Sequence, residues 1–321
     1  MYPAHQRAKN ALVRAGSRKQ IDRSRSTRRP EAVNAASVII PRADYLMAKR
    51  KVFKRGREMV SQRAEVAAHT ADIIVDDLSQ IIEVCKQTIG EFNSEQALWR
   101  GHGDAEWLLL PHVFRRDPEH PETPKYDECA LIGNFQVGAP TRSHTKTPGP
   151  DDYFGWLFLA RHYGLPTRLL DWTENPLVAL YFAVLEQEET RDGCIWALWP
   201  RQLNAIVGAR FASIQIRDPG VIELVKPAFV LGSECGQVIV AIGGREIDLR
   251  MLVQIGRFTL HSYHAAIECL PNSASWLRRY IVPKEHKRKV RYQLAAMGIK
   301  RSNLFPDLTN LAAELRTMRF K

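Results

Sequence analysis

At 321 residues and 45% hydrophobic content, the chain can fill one large core or two modest ones. It has no run of about 18 apolar residues, which argues against a membrane span. Its five cysteines (Cys85, Cys129, Cys194, Cys235, Cys269) form no CxxC pair and are odd in number, which argues against a full disulfide framework and for a reducing, cytoplasmic setting. The formal charge of +11 sits at one end. Residues 1–65 carry 17 Lys/Arg against 5 Asp/Glu, and the remainder carries 29 against 30. Attraction to a polyanion therefore belongs to an appendage and not to the body.

Residues 1–35 are rich in Arg and Ser and poor in large apolar groups, so they are expected to stay disordered when free. No apolar segment there suggests a secretory signal. The composition fits a phosphate-binding arm, a solvated tail or, less well, a mitochondrial presequence. Residues 36–70 include MAKRKVFKRGREMVSQRAEVAAH, a basic helix interrupted at Gly56, suited to nucleic acid or to an acidic partner. Together, residues 1–70 read as a basic N-terminal arm that would recruit nucleic acid.

The composition turns globular at Asp76. Leu78, Ile81, Ile82, Cys85 and Ile89 predict one face of a helix. Ala97 to Gly103 predict a short strand entering a glycine-rich turn, and Trp107 to Pro111 a second extended piece. Residues 126–137 suit a helix, and residues 138–150, with three prolines, a loop. Asp151 and Asp152 cap the next helix.

The chain is organised around Trp156 to Val184, WLFLARHYGLPTRLLDWTENPLVALYFAV. It reads as two apolar helices joined by a loop. Gly164 stops the first, Leu165-Pro166 extends the backbone, and Pro176 opens the second behind Asn175 or Thr173 as cap. Thr167, Arg168, Asp171, Trp172 and Thr173 lie in the loop, pinned at both ends. There Arg168 and Asp171, three apart, either lock the turn by pairing or serve a ligand.

Beyond it, Cys194 to Trp199 reads as a buried strand, with short helices over 201–208 and 218–226. Phe229-Val230-Leu231 and Val238-Ile239-Val240 are strand-like. Arg250 to His261 reads as a strand bent at Gly256, and Leu277 to Val282 as another. Residues 284–298 form a helix closed by Gly298. Phe305-Pro306-Asp307 caps a last helix with Leu308, Leu311, Ala312 and Leu315 on its inner face. The fold class is α+β: one domain over about residues 72–318, with a central, largely antiparallel sheet flanked by helices.

Leu98-Trp99-Arg100-Gly101-His102, the block HYGLPTRLLDWTENPLVALYFA (residues 162–183), Gln254-Ile255-Gly256-Arg257-Phe258 and Leu304-Phe305-Pro306-Asp307-Leu308 together resemble the FRG domain family, over roughly residues 75–316. That family is named for a Phe/Tyr-Arg-Gly tripeptide, and Trp99 stands here for the first aromatic. The order of an Arg-Gly strand, a Thr-bearing strand-to-helix turn and a late Gln/Glu-bearing strand further resembles ADP-ribosyltransferases. That resemblance implies NAD as substrate, Arg100 as first-strand arginine and Thr173 as middle motif. It puts Gln254 where those enzymes usually carry a catalytic glutamate. A defence or toxin role would fit such an activity. The alternative is a non-catalytic module that binds a nucleotide or nucleic acid.

Splitting the N-glycosidic bond of NAD passes through an oxocarbenium-like transition state. On the resemblance, Arg100 beside Gly101 and Gly103 would hold the pyrophosphate with its planar fork, with His102 in the same turn, unless Arg100 pairs with Asp171. His162 and Tyr163 would contact ribose or the ring. Thr167, Arg168, Asp171, Trp172 and Phe258 would complete the binding site, with Asp171 on the ribose or on the developing cation. Gln254 can hydrogen-bond but, uncharged, cannot act as a base. Glu234 and Glu246 are fallback carboxylates. No metal-ligand set, phosphate-binding loop, dinucleotide fingerprint or nucleophile elbow occurs.

Overall fold

The computed structural model describes residues 73–317 apart from 118, 120–123, 144–145, 186–189 and 245–251. The basic arm and Glu246 lie outside the described residues. Six strands, β1 (Leu98–His102), β2 (Leu169–Thr173), β3 (Gly193–Leu198), β4 (Ile239–Ile242), β5 (Gly256–His261) and β6 (Leu277–Val282), form one sheet in the order β4-β5-β2-β1-β3-β6. Every neighbouring pair is antiparallel. The helices are α1 (Leu78–Glu91), α2 (Glu128–Gly138), α3 (Tyr153–His162), α4 (Pro176–Ala183), α5 (Pro200–Ala205), α6 (Pro219–Val225), α7 (Lys284–Ala296), α8 (Arg301–Leu304) and α9 (Leu308–Thr317). The expected α+β class holds.

The core is two apolar clusters. One gathers Val84 of α1, Leu180 of α4, Ile195 of β3, Tyr280 of β6 and Leu294 of α7. The other gathers Ile132 of α2, Leu157 of α3, Leu224 of α6 and Leu260 of β5. Strand β2 gives Leu170 and Trp172 to the first and Leu169 to the second, so both its faces are buried. Burying each such side chain contributes about 1.5–3 kcal/mol.

The stretch expected as a loop between α3 and α4 is therefore a central strand for five of its residues. Its boundaries follow the sequence signals. Gly164 takes φ +83 and ends α3, with Leu165 N–H donating to Ala160 O at 3.0 Å. Asn175 caps α4, its Oδ1 accepting from Leu177 N at 2.9 Å ahead of Pro176. Thr173 is not the cap: its hydroxyl accepts from Asn175 N and donates to Gln254 O.

Several expected elements differ. In α1 the buried face is Ile81, Val84 and Thr88, while Ile82 and Ile89 face solvent. Thr88 tolerates burial because its hydroxyl bonds Val84 O at 2.7 Å and meets Tyr280 Oη at 2.8 Å. Trp107 to Pro111 is not a strand. The Leu109 N–H is taken by the buried Glu268 carboxylate, and a 3-10 turn, His112–Phe114, follows. Phe229 to Leu231 is also not a strand, because Phe229 and Val230 N–H both turn back to Lys226 O. The bend before β5 falls at Ile255, with φ +47, one residue ahead of Gly256. Helix α9 shows Leu308, Leu311 and Leu315 to solvent. It is held to the α8 region by polar pairs, Lys300 with Glu314 and Arg301 Nε with Asn310 Oδ1 at 2.6 Å.

Candidate functional site

The sheet opens at its centre. β1 pairs with β3, and β2 with β5, over five registered residue pairs each, but β1 and β2 share only Trp99↔Thr173. A cleft of about 350 Å³ lies over this opening. The Arg100 guanidinium bridges the gap. Its Nη1 donates to Asp171 O on β2 at 2.6 Å, replacing a ladder bond, and its Nε donates to His102 Nε2 at 2.9 Å. Gly101 is fixed by packing: a Cβ there would lie 1.8 Å from Ala179 O, because α4 crosses directly over β1. The glycine next to Arg100 thus serves helix packing first.

Asp171 projects into the cleft. Arg161, from the last turn of α3, chelates its carboxylate through Nε and Nη2, and Arg100 Nη1 stands 4.0 Å from Oδ2. The Asp171 side chain is 40% exposed, against 16% for Arg100 and 26% for Arg161, so the carboxylate is the part of this triad that solvent reaches most. Burial pulls the Arg100 pKa down to about 10, Asp171 opposes this, and Arg161 and Arg115 add to it; Arg100 stays a cation at neutral pH. Arg161 is shifted upward, chiefly by Asp171.

Of the residues expected at a site, Arg100, Gly101, His162, Asp171, Trp172, Thr173, Gln254 and Phe258 line this cleft. Its apolar wall adds Trp99, Phe158 and Phe182. Trp172 is anchored behind the wall. Its indole N–H donates to Thr259 Oγ1 at 3.1 Å, and Thr259 meets His261 Nε2 at 3.2 Å. His261 Nδ1 faces Ala265 O at 3.2 Å and so carries the proton of the neutral ring. Burial holds this histidine's pKa at about 3.

Gln254 is tied down: its Nε2 donates to Leu304 O at 2.9 Å, and its backbone carbonyl takes the Thr173 hydroxyl at 2.5 Å. The glutamine position and the Leu304 segment, remote in sequence, thereby meet. Arg257 lines the same edge and pairs with Glu174 at 2.6 Å.

The remaining expected residues stand elsewhere. His102 lines a second cavity, described below. Tyr163 caps α3, is 66% exposed, and stands beside His162 outside the cleft lining. Thr167 is fully buried and also outside that lining. Arg168 is buried and does not pair with Asp171. Its backbone N–H and Nε bond the two Glu128 oxygens at 2.8 and 2.9 Å, and its Nη1 donates to Leu224 O at 2.8 Å. It fastens α2 to α6 and stands outside the cleft lining. Glu234 lies in an exposed loop away from both cavities. Among the described lining residues, Asp171 is the carboxylate of the cleft.

A second cavity of about 270 Å³ adjoins the first and shares Arg100, Gly101, Arg161 and Phe182 with it. Trp107, His112 and Arg115 close its far side. Burial, then Arg100 and Arg115, push the His102 pKa well below 6.5. Burial, then Arg115 and Arg161, lower that of His112. Both rings are therefore neutral at pH 7.

Residues 95–192 match the family model of the FRG domain. The chain carries an FRG domain. Neither a curated protein nor a solved structure matches the chain. The FRG match is shorter than the span of 75–316 expected from the sequence. It runs from just before β1 to the residue before β3, and so contains Arg100, Arg115, Arg161, Asp171 and Thr173. Gln254, Arg257 and Phe258 come from beyond it and close the cleft from the β5 side. Sequence reasoning missed Arg161, Arg115 and His112 within the FRG domain. Arg161 had a signal: it is the first charged residue of an otherwise apolar helix, YFGWLFLARH.

Proposed function

We propose that the FRG domain of this chain binds a nucleotide in the cleft, with phosphate oxygens on the Arg100–Arg161 side and the base against the wall of Trp99, Phe158 and Phe182. The observation that carries this reading is the break in the sheet between β1 and β2. It holds two guanidinia and one half-exposed carboxylate in fixed positions beside apolar rings. Planar forks recognise phosphate oxygens, and aromatic faces accept a base. Asp171 offers acceptor oxygens to ribose hydroxyls.

NAD is the nucleotide that the ADP-ribosyltransferase resemblance implies, and one observation favours transfer as well as binding. Arg100, Thr173 and Gln254, the positions that the resemblance matches, all line this one cleft. In such a reaction the nicotinamide–ribose bond breaks and nicotinamide leaves with the bonding electrons. An acceptor nucleophile on a macromolecule then bonds to the ribose carbon and loses its proton to solvent. The charge of residues 1–65 favours nucleic acid as that macromolecule. The local chemistry favours binding over transfer, because Gln254 carries no charge and Asp171 is already neutralised by two cations.

The test is to incubate the full chain with labelled NAD and RNA, DNA or protein, alongside calorimetric titration with NAD. Binding that Arg161→Gln weakens, without nicotinamide release, supports the module. Release abolished by Arg100→Ala supports the enzyme. No binding by any nucleotide contradicts both.

A further inference from the structure

We propose that the second cavity, closed by Arg115, His112 and Trp107, is a phosphate subsite that takes two negative charges from the ligand of the adjoining cleft. The inference rests on the nucleotide reading and extends it to where the phosphate chain goes.

Three guanidinia, Arg100, Arg161 and Arg115, face this cavity or its shared wall. Asp171 neutralises one of these charges. The two histidines add none, since both are held neutral. Arg115 is the least satisfied of the three. Its Nε donates to Leu110 O at a long 3.3 Å, and among the described residues no other hydrogen bond and no carboxylate joins it. Burial, then Arg161, lowers its pKa, so the two cations repel each other in a half-closed space. A half-buried cation without a counterion is disfavoured, and a bound anion offsets that cost.

The excess is two positive charges, which a phosphomonoester dianion or the two oxyanions of a pyrophosphate would balance. His112, whose Nε2 lies 3.4 Å from Tyr126 Oη, borders the same space with a ring able to donate or accept. Because Arg100 and Arg161 line both cavities, a ligand whose base lies in the cleft reaches Arg115 with its phosphates without crossing bulk solvent.

The experiment titrates the full chain, wild type and Arg115→Gln, with inorganic phosphate, adenosine, ADP and NAD at constant ionic strength. Phosphate binding should weaken about tenfold in Arg115→Gln, the loss expected for one charged hydrogen-bond partner, while adenosine binding stays unchanged. Weakening of ADP alone identifies a phosphomonoester as the occupant; equal weakening of ADP and NAD identifies a pyrophosphate. Phosphate binding equal in both proteins overturns the subsite and leaves the cleft reading standing. Absence of adenosine binding in the wild type overturns the cleft reading and leaves the phosphate comparison to decide the subsite. Should Arg115→Gln fail to fold, the wild type decides: phosphate must raise the Tm more than chloride does at equal ionic strength, and an equal rise overturns the proposal.

Discussion

Strand β2 meets the same chemistry twice, just before its first residue and at its middle, and puts it to opposite uses. At the start, Arg168 meets Glu128 in a closed pair, both side chains under 10% exposed, with every polar group answered by protein. At the middle of the strand, Asp171 meets Arg161 and Arg100 in an open triad that borders two cavities and carries excess positive charge. Charge balance and solvent access, rather than the presence of an arginine and an acid, separate a structural pair from a candidate site.

The largest test of this contrast is Glu128→Ala. Removing the carboxylate leaves Arg168 buried and unpaired, and should cost about 3–5 kcal/mol by denaturant unfolding, with nucleotide affinity of the folded protein unchanged. A loss of affinity in the folded fraction would mean that the closed pair feeds the cleft. Next in size is Gly101→Ala, where the added methyl meets Ala179 O and should cost about 3 kcal/mol as α4 is pushed from β1. A Tm equal to wild type would show that α4 sits farther from the strand.

The buried histidines give a pH test of the same contrast. His261 sits by the closed pair, its backbone N–H on Arg168 O at 3.1 Å, and its folded pKa of about 3 lies below the ordinary 6.5. The unfolded chain therefore binds the proton more readily. Stability is complete above pH 6.5 and falls as the pH drops toward 3, by about 1.4 kcal/mol per pH unit for this group. His102, on β1 and bonded to Arg100 of the open triad, is shifted in the same direction. Urea unfolding across this range should show the slope, and His261→Gln should flatten it. A slope unchanged in that variant would mean other groups carry it.

The smallest expected effect is at Asp171→Asn. Because the carboxylate is part-exposed, its loss should cost only about 1 kcal/mol, while phosphate binding tightens as the excess charge grows. Weaker phosphate binding in this variant would reverse the electrostatic account.

How much was legible follows from these particulars. The edges of β6 and of α7, and the Gly164 and Pro176 boundaries, were readable because each rests on a local rule of alternation, capping or turn chemistry. Strand β2 was not, since four buried residues on both faces of the sheet, with a half-exposed Asp171 in their midst, show no period. Pairing Arg168 with Asp171 came from treating the stretch as a loop. In an extended chain, residues three apart point to opposite sides. Arg100, Thr173 and Gln254 were picked out by their order along the chain, and they share one cleft with Asp171. Arg115 follows an aperiodic turn, so only tertiary contact shows its position.

The central claim is that the open triad recognises a nucleotide. Calorimetric titration of NAD and ADP into the full-length wild type and Arg161→Gln addresses it most directly. The account predicts saturable binding to the wild type that weakens about tenfold or more in the variant, with both proteins folded. Identical affinities, or no binding to either protein, would contradict it.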